Sequence, residues 1–352
     1  MLQLANESPY AASLAPGWAL NGAPQWTLTV KATYRFSLTG EFTLHDEQPE
    51  VVEGDQYRGK PAESSLEAAW ESVPHKAGGE FYLFGTAHPG QPGANGVQVR
   101  VQIDRDRAQA WEKRLVAVGP SRWERGALGY YRTPLEPMEP VPLCYEMAFG
   151  GHDPRTAGEE RRNPVGRGFN SGQWRLHDTR LPLIERPDRF MSAPRQRMVP
   201  IGLGPLAPHW DPRRREAGNV SEARLEAGGC PYGSKTLPTV HNAAPPDQRF
   251  DKPFSGGERV TLEGLFPEHG DPVRVTLPPL QPVVWLHETH RMPLRGACDT
   301  LIVDSDAMVF HLLYRCAIPW EIDARRRGYV VLPPVPGPPE TTSADSDQEA
   351  PA

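Results

Sequence analysis

Trp26-Thr-Leu-Thr-Val-Lys-Ala-Thr-Tyr-Arg-Phe-Ser-Leu38 decides the fold class. Trp26, Leu28, Val30, Ala32, Tyr34, Phe36 and Leu38 fall on every second position, with polar residues between them. Period 2 sustained over that length, in residues that are mostly β-branched, aromatic or aliphatic, predicts a strand half-buried against a core. The Thr39-Gly40 pair then marks a turn, and Glu41-Phe-Thr-Leu44 reads as the returning arm of a hairpin.

Further along, strand signals recur. Glu80-Phe-Tyr-Leu-Phe-Gly-Thr-Ala87 reads as a buried strand and Val97-Gln-Val-Arg-Val-Gln-Ile103 as a half-buried one. The segment from Arg107 to Val118 has a helix-forming start, but it follows the turn Asp104-Arg-Asp and ends in Leu115-Val-Ala-Val, so a hairpin ending before Gly119 is expected. Towards the other end lie Glu258-Arg-Val-Thr-Leu262, Pro272-Val-Arg-Val-Thr-Leu277 and Pro282-Val-Val-Trp-Leu-His287. Thr300-Leu-Ile-Val303 and Met308 to Tyr314 flank Asp304-Ser-Asp306, which has the composition of a hairpin turn. Ser64 to Trp70 reads as a short helix.

Between these strand-rich ends the character of the chain changes. From Gly151 to Tyr232 there is little periodicity, in a protein of 352 residues that holds 33 Gly and 40 Pro. Glycine frees the backbone and proline removes a donor, so such a stretch forms neither long helices nor central strands. An ordered loop of this length inside a domain is usually functional. The expectation is therefore a mainly β protein with few short helices: two antiparallel β-sandwich or barrel-like lobes, residues 1–146 and 257–335, joined by an irregular Gly/Pro/Arg-rich region, 147–256. The acidic, Pro-rich tail 336–352 has almost nothing to bury and is expected to be disordered.

Charge is unevenly distributed around a net value of -6. Residues 151–215 hold thirteen Arg, no Lys and seven acids, whereas 41–80 hold ten acids and three bases. An all-arginine segment favours planar, bidentate pairing with carboxylates. Pairing with the chain's own acidic segment is the first expectation, an acidic partner the second, and no nucleic-acid partner is expected. No apolar run approaches the roughly 18 to 20 residues of a membrane span, so no stable membrane insertion is expected. The start, Met1-Leu-Gln-Leu-Ala-Asn-Glu-Ser8, lacks the pattern of an export signal, which makes a cytoplasmic protein the expectation. Cys144, Cys230, Cys298 and Cys316 are too scattered for a Cys-x-x-Cys site and read as buried thiols.

Residues with the spacing of an active site are scarce. His287-Glu-Thr-His290 places its histidines three apart, not four, and follows a strand pattern that would turn them to opposite faces. Gly202-Leu-Gly204 lacks a preceding strand, and Pro205 and Pro208 oppose the helix a dinucleotide loop needs. No catalytic residue, cofactor or metal is assigned.

Four glycine- and proline-rich blocks carry a resemblance. Ala148-Phe-Gly-Gly151, Asn163-Pro-Val-Gly-Arg-Gly-Phe169, Gly202-Leu-Gly-Pro205 with Trp210 and Arg213, and Ala243-Ala-Pro-Pro-Asp-Gln248 resemble, in order, the signature blocks of the domain of unknown function 2169 family. That resemblance implies a cytoplasmic, non-enzymatic adaptor or chaperone of the type VI secretion system. Its implied partners are an effector with a PAAR-type domain and the VgrG spike on which the effector is loaded. The contact is expected on the arginine-rich loop, with Phe149, Arg162, Asn163, Arg167, Trp210 and Arg213 as the residues to examine. Trp210 has two readings, core packing or a partner anchor. The competing functions are a hydrolase encoded in a toxin cluster and a β-sandwich carbohydrate-binding module. The latter would need an exposed aromatic row, and Trp26 and Tyr34 sit among aliphatics.

Overall fold

The opening stretch is the Pro24–Phe36 strand in the computed structural model, which describes residues 2–332 except 107–108, 154–155, 157, 172–175, 177–178, 268, 280–282, 288–290 and 320–328. The expected disordered tail and Glu288-Thr-His290 lie outside the described residues. Pro24–Phe36 pairs antiparallel with Ala11–Trp18 on one side and with Val309–Pro319 on the other. Phe42–Leu44 returns against its end, Leu44 opposite Tyr34, as the hairpin reading expected. Gly40 turns the corner at a φ of 86°. Leu38 lies beyond the strand and is exposed, so the inward face ends at Phe36.

This strand sits inside a seven-stranded sheet whose order is Arg249–Phe250, Gly79–Phe84, Ala297–Asp304, Val309–Pro319, Pro24–Phe36, Ala11–Trp18, with Phe42–Leu44 added on Pro24–Phe36. Gly79–Phe84 and Ala297–Asp304 run parallel. A second, wholly antiparallel sheet has the order Ile184–Glu185, Gln109–Val118, Gly96–Asp106, Arg259–Glu263, Val273–Thr276. Four more strands, Gln3–Asn6, Tyr329–Leu332, Val283–His287 and Arg291–Arg295, form a third. The protein is thus mainly β, and among the described residues no sheet closes into a barrel. Among the described residues the α-helices are two single turns, Arg213–Ala217 and Glu222–Glu226.

Both large sheets draw strands from both of the stretches expected as lobes, 1–146 and 257–335. Pro24–Phe36 pairs along its length with Val309–Pro319, and Gly96–Asp106 lies between Gln109–Val118 and Arg259–Glu263. Periodicity reports that a strand buries one face but says nothing about its partner. The Gly96–Asp106 and Gln109–Val118 hairpin ends before Gly119, as expected. Ser64 to Trp70 is no helix: Leu66–Ala68 is a strand paired with Gln56–Tyr57, and Glu146 accepts from both the N–H and the hydroxyl of Ser65.

The two large sheets share one core. Leu28, Val30, Ala32, Phe81, Leu83, Leu301 and Leu312 from the first pack with Val99, Val101, Ile103, Leu115, Val260 and Val275 from the second. Apolar area removed from water, about 25 cal/mol per Å², is the main force holding such a sandwich. The other face of the first sheet is not solvated either. Thr27, Thr29, Lys31 and Thr33 are 2%, 0%, 5% and 2% exposed, so the strand expected to be half-buried is buried on both sides.

What covers that face is irregular chain, and buried ion pairs secure it. Lys31 Nζ meets Glu71 at 2.8 Å, Arg315 Nε meets Asp299 at 2.8 Å, and Lys76 binds Glu80 and the Thr300 hydroxyl. Burial pushes the Glu80 carboxyl up, but the Lys76 ammonium and the N–H of Ala244 outweigh it and leave it below the ordinary value. Such pairs survive burial because the remaining polar valences are also filled. Arg315, for example, also donates to Thr29 and to the carbonyls of Glu71 and Val73.

Candidate functional site

The four glycine- and proline-rich blocks are tied to one another before they meet anything else. Phe149–Gly150 pairs in parallel with Arg167–Gly168, and Asn163 Nδ2 donates to the carbonyls of Tyr145 and Phe149 at 2.8 and 3.0 Å. The approach demands glycine at two points. A Cβ on Gly150 would lie 2.1 Å from the Asn163 carbonyl oxygen, and one on Gly166 would lie 2.4 Å from Asn163 Nδ2. The later blocks bind the first sheet. Leu83 donates to the Leu203 carbonyl, Leu206 donates to Ala243, and Gln248 Nε2 donates to both Phe81 and Leu203.

Several expected contact residues are consumed by this packing. Trp210 is 0% exposed, in a cluster with Leu66, Tyr82, Tyr145, Leu206, Ile302 and Leu313. Packing, and not a partner anchor, is therefore its place in this structure. Phe149 packs with Trp123, Leu181 and Met191, and Asn163 is fully buried. Arg213 is buried and donates to the Leu206 carbonyl at 2.6 Å. Burial lowers its guanidinium below the ordinary arginine value, against the pull of Asp55 and Glu80. Arg167, half-buried, donates to the Glu146 carbonyl. Only Arg162, with 42% of its side chain exposed, reaches a surface cleft.

The arginines do not pair where expected. Among the described residues, those of 151–215 form ion pairs within their own segment: Arg161 with Glu159, Arg162 with Glu160, Arg186 with Asp188, and Arg214 and Arg215 with Asp211. Those of the acidic segment 41–80 go to Lys31, Lys60 and Lys76. A partner two to four residues away closes a shorter loop than one a hundred residues away, at lower entropic cost.

The last two blocks, with Arg162 from just before the second, converge on a cleft of about 360 Å³. Its floor is apolar: Val199, Pro200, Ile201 and Gly202 from one ribbon, Leu206 and Pro212 beyond it, and Pro245 and Pro246 entering the short turn Pro246–Gln248. Tyr145 closes the back, and a Cβ on Gly202 would strike its ring at 2.7 Å. Its charged lining residues are Lys113, Arg162, Arg186 and Arg215, with Asp211 and Asp247. Lys113 reaches in from the Gln109–Val118 strand, its Nζ 2.9 Å from Asp247 and 2.7 Å from Gln248. Burial lowers its ammonium below the ordinary lysine value, and Asp247 opposes that shift. Glu160 grips Arg162 through Nε and Nη2, and Asp188 grips Arg186 in the same way.

The composition of this site is that of a receptor for apolar side chains with a polar rim. A family model described as an uncharacterized protein conserved in bacteria (DUF2169) matches residues 21–315. The chain belongs to the DUF2169 family. The match begins just before the Pro24–Phe36 strand and ends within Val309–Pro319, so the DUF2169 unit spans the two strands whose pairing joins the ends of the chain. No curated protein and no solved structure matches this DUF2169 chain.

Sequence reasoning named Arg162 and the blocks, but missed Lys113, Arg186 and the proline floor. Lys113 lies on a strand about 50 residues before Arg162, and nothing local signals that the two share a rim. No helix among the described residues is long and apolar enough to cross a membrane. Cys298 and Cys316 are buried as expected, while Cys144 and Cys230 are half-buried, and all four are free thiols.

Proposed function

We propose that this protein is a non-enzymatic adaptor, or chaperone, that holds a type VI secretion effector bearing a PAAR-type domain and assists its loading onto the VgrG spike in the cytoplasm. The resemblance of the four ordered blocks is what suggests that role, and membership of the DUF2169 family, whose description names no function, agrees with the order of those blocks. The observation that carries the reading is the cleft that the last two blocks help to build: a proline floor open to solvent, rimmed by arginine–carboxylate pairs. Apolar patches with polar rims are where proteins meet. The buried block residues would then act by shaping the floor, and Arg162 by direct contact.

The test is capture of the client. Tagged protein purified from its native host should bring down a PAAR-bearing protein, identified by mass spectrometry. Val199 is 45% exposed on the cleft floor, so Val199→Asp should leave the fold intact and cut client affinity by about tenfold or more. Recovery of no PAAR-bearing partner, or unchanged capture by Val199→Asp, would overturn the proposal.

A further inference from the structure

Among the charged groups of the cleft, Asp211 is the one whose needs are unmet. It is 3% exposed and lies on the cleft wall, yet neither carboxylate oxygen has a hydrogen-bond partner among the described residues. Arg215 Nη2 is 2.7 Å from Oδ2 and Arg214 Nε is 3.4 Å from Oδ1. These are ion-pair distances, but the groups are misaligned for hydrogen bonding. A buried carboxylate with empty acceptor positions is costly, and buried polar groups are normally satisfied.

The guards over Asp211 are loosely held. The side chains of Arg214 and Arg215 are 50% and 74% exposed, and ion pairs with such long exposed partners add little stability. The other cations of the rim are engaged: Lys113 by Asp247 and Gln248, Arg162 by Glu160, and Arg186 by Asp188. A count of four cations facing the cleft would point to an anionic ligand. The hydrogen bonding points the other way, because the unfilled positions are acceptors.

We propose that Asp211 receives a cationic N–H donor, an arginine or lysine side chain of the bound polypeptide, whose aliphatic stem or apolar neighbour lies on Pro200, Pro212, Pro245 and Pro246. Arg215 swings out as that side chain enters. A guanidinium supplies two parallel N–H groups to one carboxylate, which fills the positions that Arg214 and Arg215 leave empty. The occupant rests on reading the cleft as a polypeptide site. It adds the sign of the charge that the client must present.

The experiment uses three small probes of one shape and different charge: benzamidine, benzamide and benzoate. Each is titrated into the full chain by calorimetry, with two-dimensional NMR to place the binding. Benzamidine should bind best and shift resonances of the cleft. Asp211→Asn keeps the side-chain shape, and should weaken benzamidine by at least about tenfold while leaving benzamide unchanged. Arg215→Ala, at an exposed position, should tighten benzamidine severalfold by removing the guard. Benzoate binding better than benzamidine, or benzamidine indifferent to Asp211→Asn, overturns the assignment. Should Asp211→Asn fail to fold, Arg215→Ala decides alone, and unchanged or weaker binding overturns the proposal. Failure here with client capture intact leaves the adaptor standing, and capture of no PAAR-bearing client with these probe results intact removes the adaptor and keeps the cation site.

Discussion

Replacing Arg315 by Leu should unfold a large part of the protein's stability margin, because this one side chain ties the first sheet to the chain covering it. Its Nε binds Asp299 Oδ2 at 2.8 Å, and its Nη1 binds the Thr29 hydroxyl and the carbonyls of Glu71 and Val73 at 2.9, 2.9 and 2.8 Å. Both charged side chains are 5% exposed. Removing one partner of a buried pair costs about 3–5 kcal/mol, because the survivor keeps its charge without compensation. Two carbonyls left without a donor add about 1 kcal/mol or more each. The sum, at least about 5 kcal/mol, rivals the whole stability of many domains, about 5–15 kcal/mol. Urea unfolding followed by tryptophan fluorescence measures it through the midpoint. Adding Asp299→Asn to Arg315→Leu removes the stranded charge and should restore about 2 kcal/mol, but not the full loss, since the carbonyls of Glu71 and Val73 stay unmet. A loss under about 1 kcal/mol for Arg315→Leu, or a double variant no more stable than the single, would refute the account of this layer.

Trp210→Ala should cost about 3–5 kcal/mol and lower the melting temperature by roughly 10 °C, because the indole is 0% exposed beside Tyr145; calorimetry showing a shift of a degree or two would return Trp210 to the surface. Acid should weaken the fold through His311, which burial, and after it Lys31 and His45, push down to about 3 in the folded protein. Because its folded value is depressed, the contribution is complete above the unfolded value of about 6.5 and is lost as pH falls from there towards 3. At about pH 5 the loss is about 2 kcal/mol, and His311→Gln should flatten that slope in urea titrations compared at about pH 7 and pH 5.

How much of this was legible in the sequence follows from what periodicity records. The strands at Trp26, Val97, Arg259 and Val273 were readable because each alternates with period 2, those at Thr300 and Met308 as apolar runs flanking a turn, and the hairpins at Gly40 and at Asp304 from turn residues. Their partners were not, because Leu28 and Cys316 meet from opposite ends of the chain. Thr27, Thr29 and Thr33 looked like a solvated face since threonine tolerates both environments, and only the buried Lys31–Glu71 and Arg315–Asp299 pairs disclose a lid. The irregular region was correctly read as irregular. Glycine and proline content forbids regular structure without saying what the chain lies on, so Trp210, Arg213 and Asn163 could not be told from exposed residues. The cleft was half visible: Arg162 and the blocks stood in the text, while Lys113 came from a distant strand.

The pairing of Pro24–Phe36 with Val309–Pro319 also sets a timetable for synthesis. One flank of the earlier strand waits on the ribosome until nearly 300 residues have followed it, and its neighbour Ala11–Trp18 cannot complete a sheet by itself. Contacts this distant in sequence form slowly, and unpaired strand borders invite association in the interval. The chain would thus itself need shelter during its own birth, and nascent chains halted before Val309 should be the ones that general chaperones hold longest.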